Sequence, residues 1–326
     1  MLQTEKGVMD RVLTLELARV TERSAMAAAL VRGQGDERLA DEAAVQAMHG
    51  ELNRLDVRGR IVIGEGERDE SPMLYKGEEV GTGEGPEVDI ALDPLEGTTI
   101  CAKNLPNSLA VVAIAHRGGL LNAPDVYMEK IAVGPFYPEG LIDLDMPADE
   151  AIRRVAKAKG VRPREISACI LDRPRHARLI EIVRSTGASI RLIGDGDVAG
   201  IIHTTDPDVT GIDIYLGTGG APEGVLAAAA LRCIGGQMCG RLICDTGEKV
   251  KRAERLGIAN PRRVYRTEDM ASGDVLFAAT GVTDGNLLDG VSFKNGCATT
   301  HTIVTRSHTG TQRWMRAKHR MGDKFD

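Results

Sequence analysis

The 326-residue chain carries a formal net charge of −6, with 42% hydrophobic and 27% charged residues. That balance fits a soluble globular protein long enough for one large domain or two closely packed halves. Its acidity and its 3% aromatic content argue against nucleic acid as a partner, and its longest apolar runs, Leu109–Ala115 and Val225–Leu231, fall far short of a membrane span.

From about Thr4 to Val31 the spacing predicts a helix with Val8, Val12, Leu15 and Ala18 as its apolar stripe. The break Gly33-Gln34-Gly35 leads into a second helix from Asp36 to about Leu55. Asp36, in RGQGDERLAD, reads either as the N-cap of that helix or as an acid beside glycine where a metal can approach. Strands are expected at Ile61–Ile63, Val88–Leu92, Leu109–Ala115 and Val126–Val133, and a helix at Ala148–Lys159. The first strand runs into Glu65 and Glu67 of IVIGEGERDE, which are solvated turn residues or strand-end metal ligands. Residues 1–145 therefore read as two helices against a mostly antiparallel sheet.

The stretch Val88–Thr99, VDIALDPLEGTT, is the most informative. An apolar strand ends in Asp93 and Glu96, followed by Gly97 and Thr98. If a helix starts here, residues three apart share a face and the two carboxylates converge. Converging anions call for a cation, and hard oxygen ligands suit Mg²⁺ or Mn²⁺. A helix start just beyond would offer backbone N–H groups to a phosphate. The same residues also spell a plain capping box, with Asp at N-cap, Pro at N1 and Glu at N3.

The pattern changes around Asp143–Pro147, the boundary expected between residues 1–145 and 146–326. Strands at Ile166–Leu171, Ile190–Ile193 and Ile212–Tyr215 alternate with helices at His176–Ser185, from Asp197 onward, and at Pro222–Ile234, as in a sheet covered on both faces. Gln237–Cys244, Val275–Ala279 and Thr299–Thr305 add strands. Arg173-Pro174-Arg175-His176 is a phosphate-binding turn or a solvated basic one. Asp195-Gly196-Asp197 accepts hydrogen bonds from sugar hydroxyls or caps the next helix. Glu223, in GTGGAPEG, is a metal ligand or an acid at a helix's positive end. Tyr127 and Lys130 flank a ligand or simply pack. Six scattered cysteines (Cys101, Cys169, Cys233, Cys239, Cys244, Cys297) form no CxxC pair, and the charged N-terminus is unlike a secretory leader. Reduced thiols in a cytoplasmic protein are expected.

VDIALDPLEGTT resembles the D-P-[IL]-[DE]-G-T signature of the metal-dependent, lithium-sensitive sugar and inositol phosphatase superfamily. Glu at position 96 is similar to the bacterial class II fructose-1,6-bisphosphatases rather than to the inositol monophosphatases. The pieces GDxxxAD, IVIGEGExDExPMLY, LNAPDxYMEKxxVGP, PRH, DGDVA, GGAPEG and a late AATG strand follow in the same order as in that branch, over nearly the whole chain.

The resemblance implies an α/β (α+β) fold, a layered α-β-α-β-α sandwich with its two halves packed as one unit. It implies two or three Mg²⁺ or Mn²⁺ ions held by Asp36, Glu65, Asp93, Glu96 and Glu223. Substrate contacts fall on Glu96, Gly97, Thr98, Tyr127, Arg173, Pro174, Arg175, Asp195, Gly196, Asp197 and Gly220. Thr98 is the catalytic threonine, supported by Asp36 and Glu65. The implied reaction is hydrolysis of the 1-phosphate of fructose-1,6-bisphosphate by a homo-oligomer, a dimer or tetramer. Arg173 departs from the Lys common in the family, and Asp245–Ile258 is shorter than in some relatives. A dual fructose-1,6-/sedoheptulose-1,7-bisphosphatase is the nearest alternative, because one carbon of pocket length discriminates by only about 1–3 kcal/mol. A sugar-phosphate-binding protein without turnover is the alternative from another class.

Overall fold

The computed structural model describes residues 11–66 and 71–322. Val8, Glu67 and the predicted helix start near Thr4 lie outside the described residues. The chain forms two compact units, one running to Leu120 and resuming at Ser272, the other spanning Leu121–Ala271. The change of pattern near residues 140–150 thus falls inside the second unit.

In the first unit, α1 (Arg11–Val31) and α2 (Glu37–Leu52) precede β1 (Arg58–Ile63), β2 (Glu79–Val80), β3 (Glu87–Glu96), the short α3 (Thr98–Ala102) and β4 (Leu109–His116). The second unit contains β5 (Tyr127–Val133), α4 (Ala148–Lys159), β6 (Ser167–Leu171), α5 (Ala177–Ser185), β7 (Ser189–Ile193), α6 (Asp197–Ile202), α7 (Pro207–Thr210), β8 (Ile214–Gly220), α8 (Ala221–Ile234), β9 (Gln237–Leu242), α9 (Gly247–Arg255), β10 (Tyr265–Arg266) and α10 (Thr267–Met270). The chain then returns to the first unit as β11 (Val275–Gly281), β12 (Ser292–Lys294), β13 (Cys297–Arg306) and β14 (Thr311–Arg320).

The first unit's sheet has the order β12-β13-β11-β4-β3-β1-β2, with β14 paired along β13. Its pairs are antiparallel except β1 with β3, and it takes β11 to β14 from beyond residue 271, while the strand expected at Val126–Val133 lies in the other sheet. Helices α1 and α2 pack together and bury one core with Ile61, Ile90, Leu92, Val112 and Ile114. Of the apolar stripe expected on α1, Ala18 is buried as expected, but Val12 and Leu15 are on the outer face. Val12 and Leu15 are 60% and 54% exposed, whereas Leu13, Leu17, Val20 and Ala25 are buried. Polar residues on the inner face disguised it. The hydroxyl of Thr21 donates to the Ala18 carbonyl, and that of Ser24 reaches the carbonyls of Ala44 and Pro94. Hydroxyls satisfied in this way bury at little cost.

The second unit's sheet has the order β10-β9-β5-β8-β6-β7. Strands β6, β7 and β8 run parallel, and the central β5 is antiparallel to β8 and β9. Side chains alternate across a strand. Ile131 and Val133 of β5 accordingly join a core with Ile152 and Val155 of α4 and Ile180 and Val183 of α5. Met128 and Lys130 point the other way, toward α8, where a Cβ on Gly224 would meet both side chains. Helix α6 packs against α8 and against β6 and β8. The expected sheet covered on both faces is present, and the class is mixed α/β with layered helices and sheets.

Candidate active site

In the first unit, β1 and β3 are parallel neighbours, so their carboxyl ends finish at the same rim of the sheet. Glu65 follows β1 through Gly64, whose backbone comes so close to residue 74 that a Cβ would lie 2.1 Å from the Leu74 carbonyl oxygen. The Glu65 amide donates to that same carbonyl at 2.9 Å. Backbone rather than side chain therefore places this acid.

Asp93 and Glu96 do not stand on a helix, and they are not a capping box. Strand β3 stays extended through Glu96, with Asp93 opposite Val111 and Glu96 opposite Leu109. Three steps along β3 face two along β4, which is a bulge. Pro94, with no N–H to give a ladder, suits such a position. The Leu95 amide donates to Asp93 Oδ1 at 3.0 Å, a local turn of the kind Asp favours. Hydroxyls hold the bulge: Ser24 donates to the Pro94 carbonyl and Ser108 to that of Glu96. Glu96 is buried and Asp93 partly exposed. The helix starts later. Gly97 is its N-cap at φ 81°, a left-handed backbone, and Thr98 is the first residue of the five-residue α3.

Asp36 is an exposed N-cap of α2, its Oδ1 accepting the Leu39 amide at 3.0 Å. Capping accounts for this side chain. The acid that sequence reasoning passed over is Asp41, the last letter of the same GDxxxAD piece. It is half-buried on α2, and burial first, then the charge of Glu42, raises its carboxyl above the usual range. Perturbed acids of this kind mark functional candidates. Among the described residues, no three Asp, Glu, His or Cys side chains gather closely enough to hold a metal by themselves.

In the second unit the candidate residues collect at one rim. Arg173 to Arg175 leave the carboxyl end of β6, Asp195 to Asp197 that of β7, and Gly220 to Glu223 that of β8. Tyr127 opens the antiparallel β5 directly opposite Gly220. Ligands of open α/β sheets bind at such carboxyl ends. The Arg175 guanidinium lies 4.7 Å from the Tyr127 ring centre and donates through Nε and Nη2 to the Thr218 carbonyl, at 3.1 and 2.7 Å. Arg173 precedes the one-turn segment Pro174–His176.

Sequence reasoning missed the part played by His176. The Thr218 amide donates to its Nε2 at 2.8 Å, which leaves Nδ1–H to donate to the Leu171 carbonyl at 2.7 Å. The imidazole is neutral and fastens the β6 turn to β8. Burial pushes its pKa down, consistent with that form.

Asp197 is buried at the start of α6, after Gly196 at φ 82°. Its Oδ2 accepts Lys130 Nζ at 2.5 Å, and Lys130 also donates to the Gly220 carbonyl at 2.7 Å. Glu223 sits in the first turn of α8. The residue is partly exposed, yet its Oε2 is shielded from solvent and has no hydrogen-bond partner. Burial raises its carboxyl pKa, Asp197 adds to that, and Lys130 opposes it. A Cβ at Gly220 would lie 1.8 Å from Glu223 Oε2, so the glycine makes room for the carboxylate. An anionic oxygen facing no donor is what a hard cation would complete.

The chain matches the model of the bacterial fructose-1,6-bisphosphatases, glpX-encoded, over residues 11–319. It is 43% identical over 336 residues to a protein of Synechococcus sp. (strain JA-3-3Ab), covering 95% of this chain and 96% of the relative. It is 43% identical over 340 residues to one of Trichodesmium erythraeum (strain IMS101), covering 97% and 98%. Both relatives are named D-fructose 1,6-bisphosphatase class 2/sedoheptulose 1,7-bisphosphatase.

Proposed function

This chain belongs to the glpX-encoded bacterial fructose-1,6-bisphosphatase family, and we propose that it acts as that family does, hydrolysing fructose-1,6-bisphosphate to fructose-6-phosphate and inorganic phosphate. It is a phosphoric monoester hydrolase. Uncatalysed cleavage of such esters is among the slowest reactions known, with enzymatic enhancements reaching about 10²¹. The protein's work is charge stabilisation and positioning.

The family is metal-dependent, and we assign the cations to Mg²⁺ or Mn²⁺, two or three per site. Bound there, they would neutralise phosphate charge and supply a water made nucleophilic at neutral pH. The donors are hard carboxylates, which suit these ions. In the first unit we assign Glu65, Asp93 and Glu96 to them, with Asp41 from the GDxxxAD piece ahead of Asp36, whose carboxylate caps α2. In the second unit, the shielded oxygen of Glu223 supports a further ligand role.

Thr98 orients the attacking water through its hydroxyl or passes its proton on toward a neighbouring carboxylate, being too weak a base to act alone. Glu96 and Gly97 accompany it in contacting the substrate. Arg173 and Arg175, with Pro174 shaping the turn, bind the distal phosphate. Arg175 has Nε and Nη2 on the Thr218 carbonyl and keeps Nη1 for that anion. Tyr127, Asp195, Gly196, Asp197 and Gly220 line the sugar. The gathering of these side chains at the carboxyl ends of β6, β7 and β8 is the observation that carries this assignment.

A second reading has specific support: the relatives' names include sedoheptulose-1,7-bisphosphatase. We propose that the longer sugar is also accepted, with the same two phosphate ends. We further propose a homo-oligomer, for which the exposed Val12 and Leu15 of α1 offer an apolar contact. No described helix is long and apolar enough to cross a membrane. The six cysteines form no disulfide and five of them are buried, which fits a reducing cytoplasm.

The test is phosphate release from fructose-1,6-bisphosphate with Mn²⁺, with Mg²⁺ and with chelator, beside sedoheptulose-1,7-bisphosphate and inositol-1-phosphate. Metal-dependent release from the bisphosphates alone is expected, with inhibition by Li⁺ if the wider superfamily assignment holds. Folded protein that binds the metal and releases nothing would replace hydrolysis with the binding-protein reading.

A further inference from the structure

Lys130 lies on β5 at the centre of its sheet, with a side chain that is 0% exposed. Lysine is almost never fully buried unless it is paired, because removing an ammonium from water costs several kcal/mol. Its surroundings are built to hold the charge. The residues opposite it in register are glycines on both sides, Gly217 on β8 and Gly240 on β9. A Cβ at Gly224 would touch its Cδ at 3.5 Å, and one at Gly219 would stand 3.1 Å from its Nζ and 2.0 Å from Asp197 Oδ2. The stem therefore runs through a glycine-lined slot, and the ammonium ends between the Asp197 carboxylate and the Gly220 carbonyl.

Two acids meet this one ammonium. Asp197 touches it, and Glu223, three residues after Gly220, feels its charge together with those of Asp197 and Asp125. The ammonium bonds to the carbonyl at the very turn that aims Glu223, and to the carboxylate that opens α6. Its position couples the orientations of the two acids. Without it, Asp197 would be a buried anion with its partner gone, and the Gly220 carbonyl would lose its donor.

We propose that Lys130 is a positioning residue of the active site, fixing the Asp197 carboxylate and the Gly220–Glu223 turn in the arrangement that binds sugar and metal. The inference rests on the reading of Asp197 and Glu223 as active-site residues. Lys130 itself touches neither the substrate nor the reacting atoms. Its effect is geometric, and small displacements of such groups are costly: a misplacement of about 1 Å can lower turnover roughly 10²-fold.

The experiment compares wild type, Lys130→Met, Gly219→Ala, Asp197→Asn and Glu223→Gln, at a temperature well below each midpoint of unfolding and per folded molecule. Turnover, KM for fructose-1,6-bisphosphate and the Kd for Mn²⁺, read directly by calorimetry without substrate, are measured for each. Lys130→Met is expected to lower kcat about 10²-fold and to raise both the KM and the Mn²⁺ Kd about tenfold. A lysine that only stabilised the fold would move the unfolding midpoint and leave all three constants within twofold, and that result overturns the proposal. Should Lys130→Met fail to fold, Gly219→Ala decides, since it keeps both charges and displaces them. The same losses support the role, and wild-type constants overturn it. Full activity in both Asp197→Asn and Glu223→Gln would overturn the site assignment, and the role of Lys130 with it.

Discussion

The Thr218 amide donates to His176 Nε2 at 2.8 Å, while His176 Nδ1–H donates to the Leu171 carbonyl at 2.7 Å. A buried imidazole thus joins β6 to β8, beside the carbonyl that anchors Arg175. His176→Ala would leave the Thr218 amide without its acceptor and take one of two donors from the Leu171 carbonyl, which keeps the Arg173 amide at 2.9 Å. The expected loss is about 1–3 kcal/mol of stability, seen as a lowered denaturation midpoint. KM for the bisphosphate should rise more than kcat falls, because the arginine that meets the distal phosphate is loosened. An unchanged KM in folded His176→Ala would show that the turn holds its shape without the ring.

His203, buried in the second unit, predicts a pH dependence of stability. Burial first, and the charge of Arg191 second, push its pKa from 6.5 to about 4. Its Nδ1 is shielded and has no hydrogen-bond partner. The folded state prefers the neutral ring, so the unfolded state binds more protons between those values. The contribution is fully present above about pH 6.5, declines as the pH falls, and is lost by about pH 4. A shift of this size corresponds to about 3 kcal/mol. Urea midpoints measured at pH 7.5, 6, 5 and 4 should show a shallower fall for His203→Gln than for wild type. Parallel curves would assign the acid sensitivity to other groups.

Thr98 begins α3 directly after the left-handed Gly97, and the proposed part of its hydroxyl lies mainly in the chemical step. Thr98→Ala should reduce kcat about 10²-fold or more while leaving Mn²⁺ activation and KM within a few-fold, as for other groups that handle a proton in the transition state. Normal turnover by this variant would remove Thr98 from the mechanism.

Asp36 and Asp41 make opposite predictions. Asp36→Ala removes the cap on the Leu39 amide and should cost about 1 kcal/mol in stability, with metal-dependent turnover retained. Asp41→Asn should leave stability nearly unchanged or improved, since it removes a half-buried charge, and should raise the Mn²⁺ requirement at least tenfold. Titrating both variants with Mn²⁺ distinguishes them. Loss of metal response in Asp36→Ala, with Asp41→Asn normal, would restore Asp36 as the ligand.

Much of the site was legible in the residues themselves. Local hydrophobic spacing located β4, β5, α4, β6, α5 and α8 to within a residue or two, and acids beside glycine marked the ends of β1, β3, β7 and β8. Periodicity is a property of neighbouring residues, so one sequence carries it. The same local logic failed on α1, where Thr14, Thr21 and Ser24 face inward and Val12 and Leu15 outward. It failed on β14 as well. TQRWMRAKHR has no apolar alternation, because an edge strand keeps its outward side chains charged.

What sequence alone determined is the chemistry on offer: which carboxylates, hydroxyl and cations stand at strand ends, and the family whose motifs they spell. Tertiary structure decided how those groups are aimed. The bulge at Asp93–Glu96 exists because β3 and β4 pair out of step, and the return of β11 to β4 joins residues far apart in the chain. Lys130 reads only as a strand residue that flanks a ligand or simply packs, until β8 and α6 bring Gly220 and Asp197 to its ammonium. Backbone pairing and the burial of a charge depend on partners distant in sequence, and only the folded chain brings them together.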